Sequence, residues 1–163
     1  MNEQTTCDLP LIWEGDEVVA HVECLDRSLR HWTGRGLLNG VIDTRGLSRS
    51  VFEAPFVVVS HGTEADPVLN YGNRAALELW EISWDELIRM PSRLTAEAPS
   101  REERARLLER VTREGFVGDY AGVRIGKSGR RFRIAAATVW NLITPEGVHC
   151  GQAAMFRDWT FLD

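Results

Sequence analysis

The segment of this sequence that comes nearest to a chemical motif is Gly122-Val-Arg-Ile-Gly-Lys-Ser128. Glycines, a lysine and a serine are the residue types with which a GxxxxGK[ST] loop holds nucleotide phosphates. Here only three residues separate the glycines, and a strand is predicted to follow, so no helix N-terminus is available for a phosphate. We therefore predict a hairpin turn at residues 127–129.

The same region is rich in basic residues and has no acidic residue among them. The basic residues are Arg124, Lys127, Arg130, Arg131 and Arg133. Such a cluster could hold an anion or an acidic partner. The alternative, which the sequence favours, is the solvated tip of a hairpin, because connecting segments are usually exposed and polar.

Ser60 and His61 have the residue types of a nucleophile and its base, but they are neighbours in a predicted strand. Adjacent strand residues point to opposite faces of a sheet, and no Gly-x-Ser-x-Gly motif is present. We therefore expect a structural His61 at a hairpin and predict no catalytic residue.

Two pairs of potential zinc ligands occur far apart in the chain. His21 and Cys24 share one face of a predicted helix, and His149 and Cys150 are adjacent in a predicted strand. A zinc site would need all four to converge, although alternation sends the second pair to opposite faces. We predict buried, unreactive thiols and no metal site.

Length and composition restrict the class of protein. The chain has 163 residues, of which 44% are hydrophobic, enough for one domain with one core. Its net charge of −5 argues against non-specific nucleic-acid binding, which needs a basic surface. No apolar run approaches the roughly 20 residues of a membrane span, and the N-terminus is too polar for a signal peptide. The three cysteines lack CxxC spacing and fit free thiols, so we predict a cytoplasmic protein without a nucleic-acid or membrane partner.

One apolar stripe marks the first predicted helix. Its members step by four and three residues: Val18, Val22, Leu25, Leu29 and Trp32. This is the average spacing of a coiled-coil seam, although the run is shorter than a free-standing coiled coil needs. We expect a homodimer in which the stripe is at least partly buried between subunits. The alternative is a monomer whose stripe covers its own sheet.

The remaining elements follow in a clear order. Strands are predicted at 56–60 and 68–71, and helices begin after the N-cap residues Asn73, Ser83 and Ser100. Three more strands are predicted at residues 119–125, 131–143 and 148–161. Strict alternation in the long middle strand would place six residues on one face: Phe132, Ile134, Ala136, Thr138, Trp140 and Leu142.

This order resembles the PAS fold, and three stretches resemble more closely the MEKHLA domain, a PAS-related family. The stretches are residues 54–77, residues 90–93 with the charged helix after them, and the segments Gly129–Phe132, Val139–Leu142, Gly151–Ala154 and Trp159–Phe161. The resemblance covers about residues 16–163. It implies an α+β fold, with a five-stranded antiparallel sheet, helices inserted between strands 2 and 3, and an N-terminal flanking helix. The corresponding division is a flexible tail at 1–14, the helix and connector at 15–53, and the domain core at 54–163.

The resemblance also implies a sensory domain that acts by binding a small molecule, or by responding to light or redox state, and not by catalysis. If a ligand occupies the usual PAS cavity, we expect it to be lined by Asn73, Trp80, Arg93, Trp140 and Gln152. Arg93 would supply charge, the two amides hydrogen bonds and the tryptophans an apolar wall. The alternatives are a ligand-free dimerisation module and a small enzyme on a PAS-like scaffold.

The PAS resemblance raises two cofactors, flavin and haem. A flavin that forms a thiol adduct needs a cysteine in the helix after the second strand, and residues 73–80 contain none. Haem would need an axial histidine in the inserted helices, and residues 73–114 contain none. We therefore expect neither, while a non-covalent flavin or a small metabolite stays open.

Overall fold

The computed structural model describes residues 11–40 and 42–162, so residues 1–10 of the predicted tail lie outside it. Residues Ile12–Glu14 form one turn of 3-10 helix, and Ser92–Thr95 form another. The helices are α1 (Asp16–Thr33), α2 (Thr44–Phe52), α3 (Arg74–Trp80), α4 (Trp84–Leu87) and α5 (Ala98–Glu114). The strands are β1 (Val57–His61), β2 (Leu69–Gly72), β3 (Phe116–Ile125), β4 (Arg131–Ile143), β5 (His149–Phe156) and β6 (Asp158–Phe161).

Short polar side chains begin the inserted helices, as the sequence predicts. The Asn73 side chain accepts a hydrogen bond from the amide of Ala76, and Ser83 accepts one from the amide of Glu86. The prediction that Ser100 caps α5 is wrong. The helix begins two residues earlier, at Ala98, with a proline in its first turn, where the missing amide hydrogen costs nothing.

The sheet is antiparallel, with its five main strands in the order β2-β1-β5-β4-β3. The helices α3, α4 and α5 are inserted between the second and third strands, and α1 precedes them, which confirms the predicted fold class. The predicted last strand is divided at Arg157. Its first part, β5, pairs with residues 138–143 of β4, and β6 pairs with residues 132–135.

A bulge in β4 makes the prediction of strict alternation wrong. Ala136 has φ of 53°, and the register between β3 and β4 shifts beside it. Phe132 and Ile134 therefore lie on the same face as Ala137 and Val139, whereas Trp140 and Leu142 lie on the other. One extra residue thus exchanges the faces of the strand half-way along its length.

Helices cover both faces of the sheet. On the side we call the α1 face, α1 and α2 pack on Val58, Trp140 and Leu142. On the other side, the α5 face, α3 and α5 pack on residues such as Phe132 and Phe156. Both faces of β4 and β5 are therefore covered, and each face has its own apolar cluster.

The apolar stripe of α1 lies against the chain's own sheet. Val22, Leu25 and Leu29 are at most 2% exposed, and the indole nitrogen of Trp32 donates to the carbonyl of Asn141 at 2.9 Å. Val18 packs on the same cluster and is half-buried. An interface through Val22, Leu25 and Leu29 would therefore require these residues to leave their own core. Homodimer formation itself stays a prediction.

Candidate functional site

A small cavity lies on the α5 face, between α5 and strands β1, β3, β4 and β5. Its volume is about 60 Å³. Most of its wall is apolar, with Leu107 from α5, Val139 from β4 and Phe156 from β5. The polar part of the wall consists of five side chains from four elements: His61, Arg104, Tyr120, Arg124 and Gln152.

Two arginines bring positive charge to this cavity. Arg124, on β3, is only 6% exposed and donates to the Tyr120 hydroxyl at 3.1 Å and to the carbonyl of Val123 at 2.9 Å. Arg104 reaches the cavity from α5, and burial, together with the charge of Arg124, lowers its pKa to about 10. Within residues 11–40 and 42–162, neither guanidinium forms a salt bridge. The site therefore holds uncompensated positive charge.

Gly122 makes room for this arrangement on β3. Its missing side chain lies between Tyr120 and Arg124 on the same face of the strand, and a Cβ there would collide with the Tyr120 hydroxyl. The Tyr120 hydroxyl in turn donates to Glu103 of α5 at 3.3 Å. Glycine thus allows the tyrosine and the arginine to lie across the strand and meet the helix.

His61 contributes a neutral ring to the cavity wall. Its Nδ1 lies 2.9 Å from the carbonyl of Gly62, which can only accept, so Nδ1 carries the hydrogen and Nε2 is an acceptor. Nε2 is buried and has no hydrogen-bond partner among the described residues. Burial lowers the pKa of His61, and the charge of Arg104 acts in the same direction. The cavity wall therefore includes an unused acceptor beside two donors.

Gln152 joins the cavity wall to α5. Its amide nitrogen donates to the carbonyl of Leu108 at 2.9 Å, to Thr112 Oγ1 at 2.9 Å and to Asn141 Oδ1 at 3.0 Å. The Asn141 side chain also donates to the carbonyl of Val111 at 2.8 Å. Because the nitrogen of Gln152 is fully used, its carbonyl oxygen is the atom that can accept from a ligand.

The structure places two of the five predicted site residues, Trp80 and Gln152, on the cavity wall. Asn73 lies elsewhere, where its side chain is satisfied by the backbone of Val51, Phe56, Val58 and Ala76. Its role there is to join α3 to β1 and α2.

The other two predicted site residues also lie away from the cavity. Arg93 is exposed and pairs with Asp66 at 3.3 Å. Trp140 lies on the α1 face, fully buried, with its indole nitrogen 3.2 Å from the carbonyl of Leu25. The β4 bulge explains the latter position, because it exchanges the faces of the strand before Trp140.

The basic cluster separates into a buried member and exposed ones. Arg124 enters the cavity, whereas Lys127 sits at the hairpin tip and pairs with Glu86 at 2.8 Å. The interpretation as a solvated tip is therefore wrong for Arg124 alone. The hairpin turn is confirmed, with the amide of Gly129 donating to the carbonyl of Gly126 at 3.0 Å. Sequence reasoning missed Arg104 entirely, since it is one of many charged residues on α5.

Ser60 and His61 point to opposite faces, as alternation predicts. The Ser60 hydroxyl donates to Asn70, and because it has one hydrogen, His21 Nε2 must donate to it across 2.8 Å. His61 faces the cavity on the other side of the sheet. The two side chains therefore belong to separate hydrogen-bond networks.

The four potential zinc ligands do not converge. The sulfur atoms of Cys24 and Cys150 lie 4.0 Å apart on the α1 face, but His21 bonds to Ser60 and His149 is exposed. In the described part of the chain, no group of three or more potential ligands could hold a metal ion. Burial, and then the neighbouring Cys24, raise the pKa of Cys150 to about 11.

Comparison with known families identifies the chain. The family model of the MEKHLA domain matches residues 19–161. The chain belongs to the MEKHLA domain family. The match begins within α1, so it includes most of the flanking helix as well as the sheet. No curated protein matches this MEKHLA chain.

Solved structures with PAS-type folds resemble this MEKHLA domain. A PAS domain from Colwellia psychrerythraea is 13% identical, with a TM-score of 0.59, and the match covers 68% of this chain and 92% of that one. An RNA-binding light-oxygen-voltage receptor is 16% identical, with a TM-score of 0.57, over 77% of this chain and 35% of that one. A light-oxygen-voltage domain studied with a flavin analogue is 16% identical, with a TM-score of 0.53, over 72% and 84%. The family and the fold together indicate a sensory domain. Among the described residues, no helix has the length and apolar character of a membrane span.

Proposed function

We propose that this MEKHLA domain is a sensory module that binds a small molecule in the cavity between α5 and the sheet, and acts by binding and not by catalysis. The observation that carries the proposal is Arg124, a buried guanidinium on the cavity wall with no carboxylate partner among the described residues. An uncompensated buried charge destabilises a protein, so its presence on a cavity wall is explained best by a ligand.

A flavin does not fit this cavity. One of the light-oxygen-voltage neighbours was studied with a flavin analogue, which makes flavin the first candidate to test. The cavity of about 60 Å³ is far below the roughly 300 Å³ of sites for larger organic ligands. Leu107, Tyr120 and Ile134 occupy its sides. We therefore propose a much smaller ligand.

The hydrogen bonds around the cavity offer a route from ligand to surface. Gln152, on the cavity wall, bonds to Asn141 and to α5, and the Asn141 carbonyl accepts from Trp32 of α1 on the opposite face. We propose that a ligand that displaces α5 changes this network and thereby the position of α1. Asn141 is the residue that both helices share.

The proposal is tested by blocking the cavity. Ala154 lines it, and Ala154→Leu should fill the space, whereas Ala135→Leu adds the same atoms at an exposed position of β4. Thermal unfolding is measured with a panel of small metabolites. We expect a compound that raises the melting temperature of the wild-type chain and of Ala135→Leu but not of Ala154→Leu. If no compound does so, or if both variants respond alike, the proposal is wrong.

A dimerisation module is the second candidate function, and the small size of the cavity favours it. An open groove on the α1 face, of about 750 Å³, includes Trp32, Phe116 and Met155, and would be covered by a second copy of the chain. Phe116 is 37% exposed there. Light scattering should then show a dimer that Phe116→Asp converts to a folded monomer. A wild-type monomer at high concentration would contradict this candidate. We also propose a cytoplasmic location, which the sparse, unpaired pattern of cysteines supports.

A further inference from the structure

We infer that the ligand of the cavity is a small 2-hydroxycarboxylate, with its carboxylate bound by Arg104 and Arg124 and its hydroxyl donated to His61. The inference rests on the proposed function, because it names the ligand class of the same cavity. The argument uses the charge, the free hydrogen-bonding atoms and the volume of the site.

The charge of the site requires an anion. Arg104 and Arg124 come from different elements, lie close enough for each charge to disfavour the other, and have no acidic partner in the described chain. A carboxylate has two oxygens that accept hydrogen bonds from guanidinium groups, and such charge-assisted bonds are among the strongest in proteins. An anion between the two arginines would compensate both charges.

The remaining polar atoms of the wall require a hydrogen-bond donor on that anion. His61 Nε2 is an acceptor without a partner among the described residues, and the carbonyl oxygen of Gln152 is an acceptor as well. A simple carboxylate offers these atoms nothing. A hydroxyl can donate to them, whereas an ammonium group would be repelled by the two arginines.

The volume of the site limits the ligand to a few non-hydrogen atoms. A cavity of about 60 Å³ corresponds to about two water molecules at ~30 Å³ each. Glycolate and lactate are hydroxycarboxylates of this size class. The apolar side chains of Leu107, Val139 and Phe156 accommodate the carbon atoms.

A titration series at constant ionic strength tests the ligand class by isothermal calorimetry. The probes are glycolate, lactate, acetate, glycolamide, phosphate and sulfate. We expect glycolate or lactate to bind about tenfold more tightly than acetate, which lacks the hydroxyl, and glycolamide not to bind detectably. Phosphate or sulfate binding as tightly as glycolate would overturn the inference, because the site would then recognise inorganic anions.

Two substitutions test the assigned residues. Arg104→Met should weaken glycolate binding about 10- to 100-fold, whereas Arg106→Met, two positions away on the exposed side of α5, should leave it unchanged. His61→Phe should lower the affinity for glycolate to that for acetate without changing acetate binding. If His61→Phe weakens both acids equally, the hydroxyl assignment is wrong. If either variant fails to fold, the series with the wild-type chain decides by itself.

The outcome also separates this inference from the proposed function. If glycolamide or another uncharged compound binds the wild-type chain but not Ala154→Leu, the cavity is a ligand site and only the hydroxycarboxylate assignment fails. If no probe and no metabolite distinguishes Ala154→Leu from Ala135→Leu, the proposed function fails as well.

Discussion

The two faces of the sheet have opposite characters although the same strands supply both. On the α1 face, Val22, Leu25 and Trp140 have no exposed surface and pack without charge among them. On the α5 face, the same strands leave a cavity into which two arginines project. Adjacent residues such as Ser60 and His61 show the difference within one strand. One face thus contributes mainly to stability, and the other has accepted unpaired charge, which we attribute to ligand binding.

The sharpest test of this comparison exchanges equal groups on the two faces. Leu25 has no exposed surface on the α1 face, whereas Leu107 borders the existing cavity on the α5 face. Leu25→Ala should lower the free energy of unfolding by about 4 kcal/mol and Leu107→Ala by about 2 kcal/mol, because a new cavity costs most in a filled core. Urea denaturation measures both. Equal losses would mean that the α5 face is as tightly packed as the α1 face.

The α1 face should also be intolerant of charge, and His21 tests this. Burial lowers the pKa of His21 to about 4, below the ordinary 6.5 of the unfolded chain. The unfolded chain therefore binds the proton more readily, so stability is complete above about pH 6.5 and falls as the pH decreases towards 4. The shift corresponds to a loss on the order of 3 kcal/mol.

Urea denaturation at several pH values gives this dependence. His61 has a lowered pKa too, so the contribution of His21 is the difference between the wild-type chain and His21→Gln. A matched substitution at the exposed His149 should leave the pH dependence unchanged. A pH profile that is the same with and without His21 would contradict a neutral, buried ring on this face.

The smallest expected effect concerns a residue on neither face. Arg93 pairs with Asp66 at 3.3 Å, with about half of each side chain exposed. Arg93→Gln should lower the free energy of unfolding by less than about 1 kcal/mol, since exposed ion pairs contribute little, and should not change ligand binding. Calorimetric titration of glycolate checks the second point. A large loss of affinity would restore Arg93 as a site residue and weaken the assignment to Arg104.

Local patterns predicted most elements of the fold. The 3–4 spacing of Val22, Leu25 and Leu29 predicted α1, and the short polar side chains of Asn73 and Ser83 predicted the starts of α3 and α4. These signals work because helix periodicity and capping depend on residues a few positions apart. The stretches that resemble the MEKHLA domain then indicated how the elements are arranged, which the family match over residues 19–161 confirms.

The sequence alone did not reveal the site, because the site depends on contacts between distant residues. Arg104 and Arg124 meet only after α5 crosses the sheet, and nothing nearby in the chain distinguishes either from exposed arginines. Trp140 changed faces because Ala136 adopts a positive φ, a conformation that alanine does not favour and that neighbouring strands impose. Periodicity therefore determined which segments become helices and strands, whereas tertiary packing decided which side chains face the cavity.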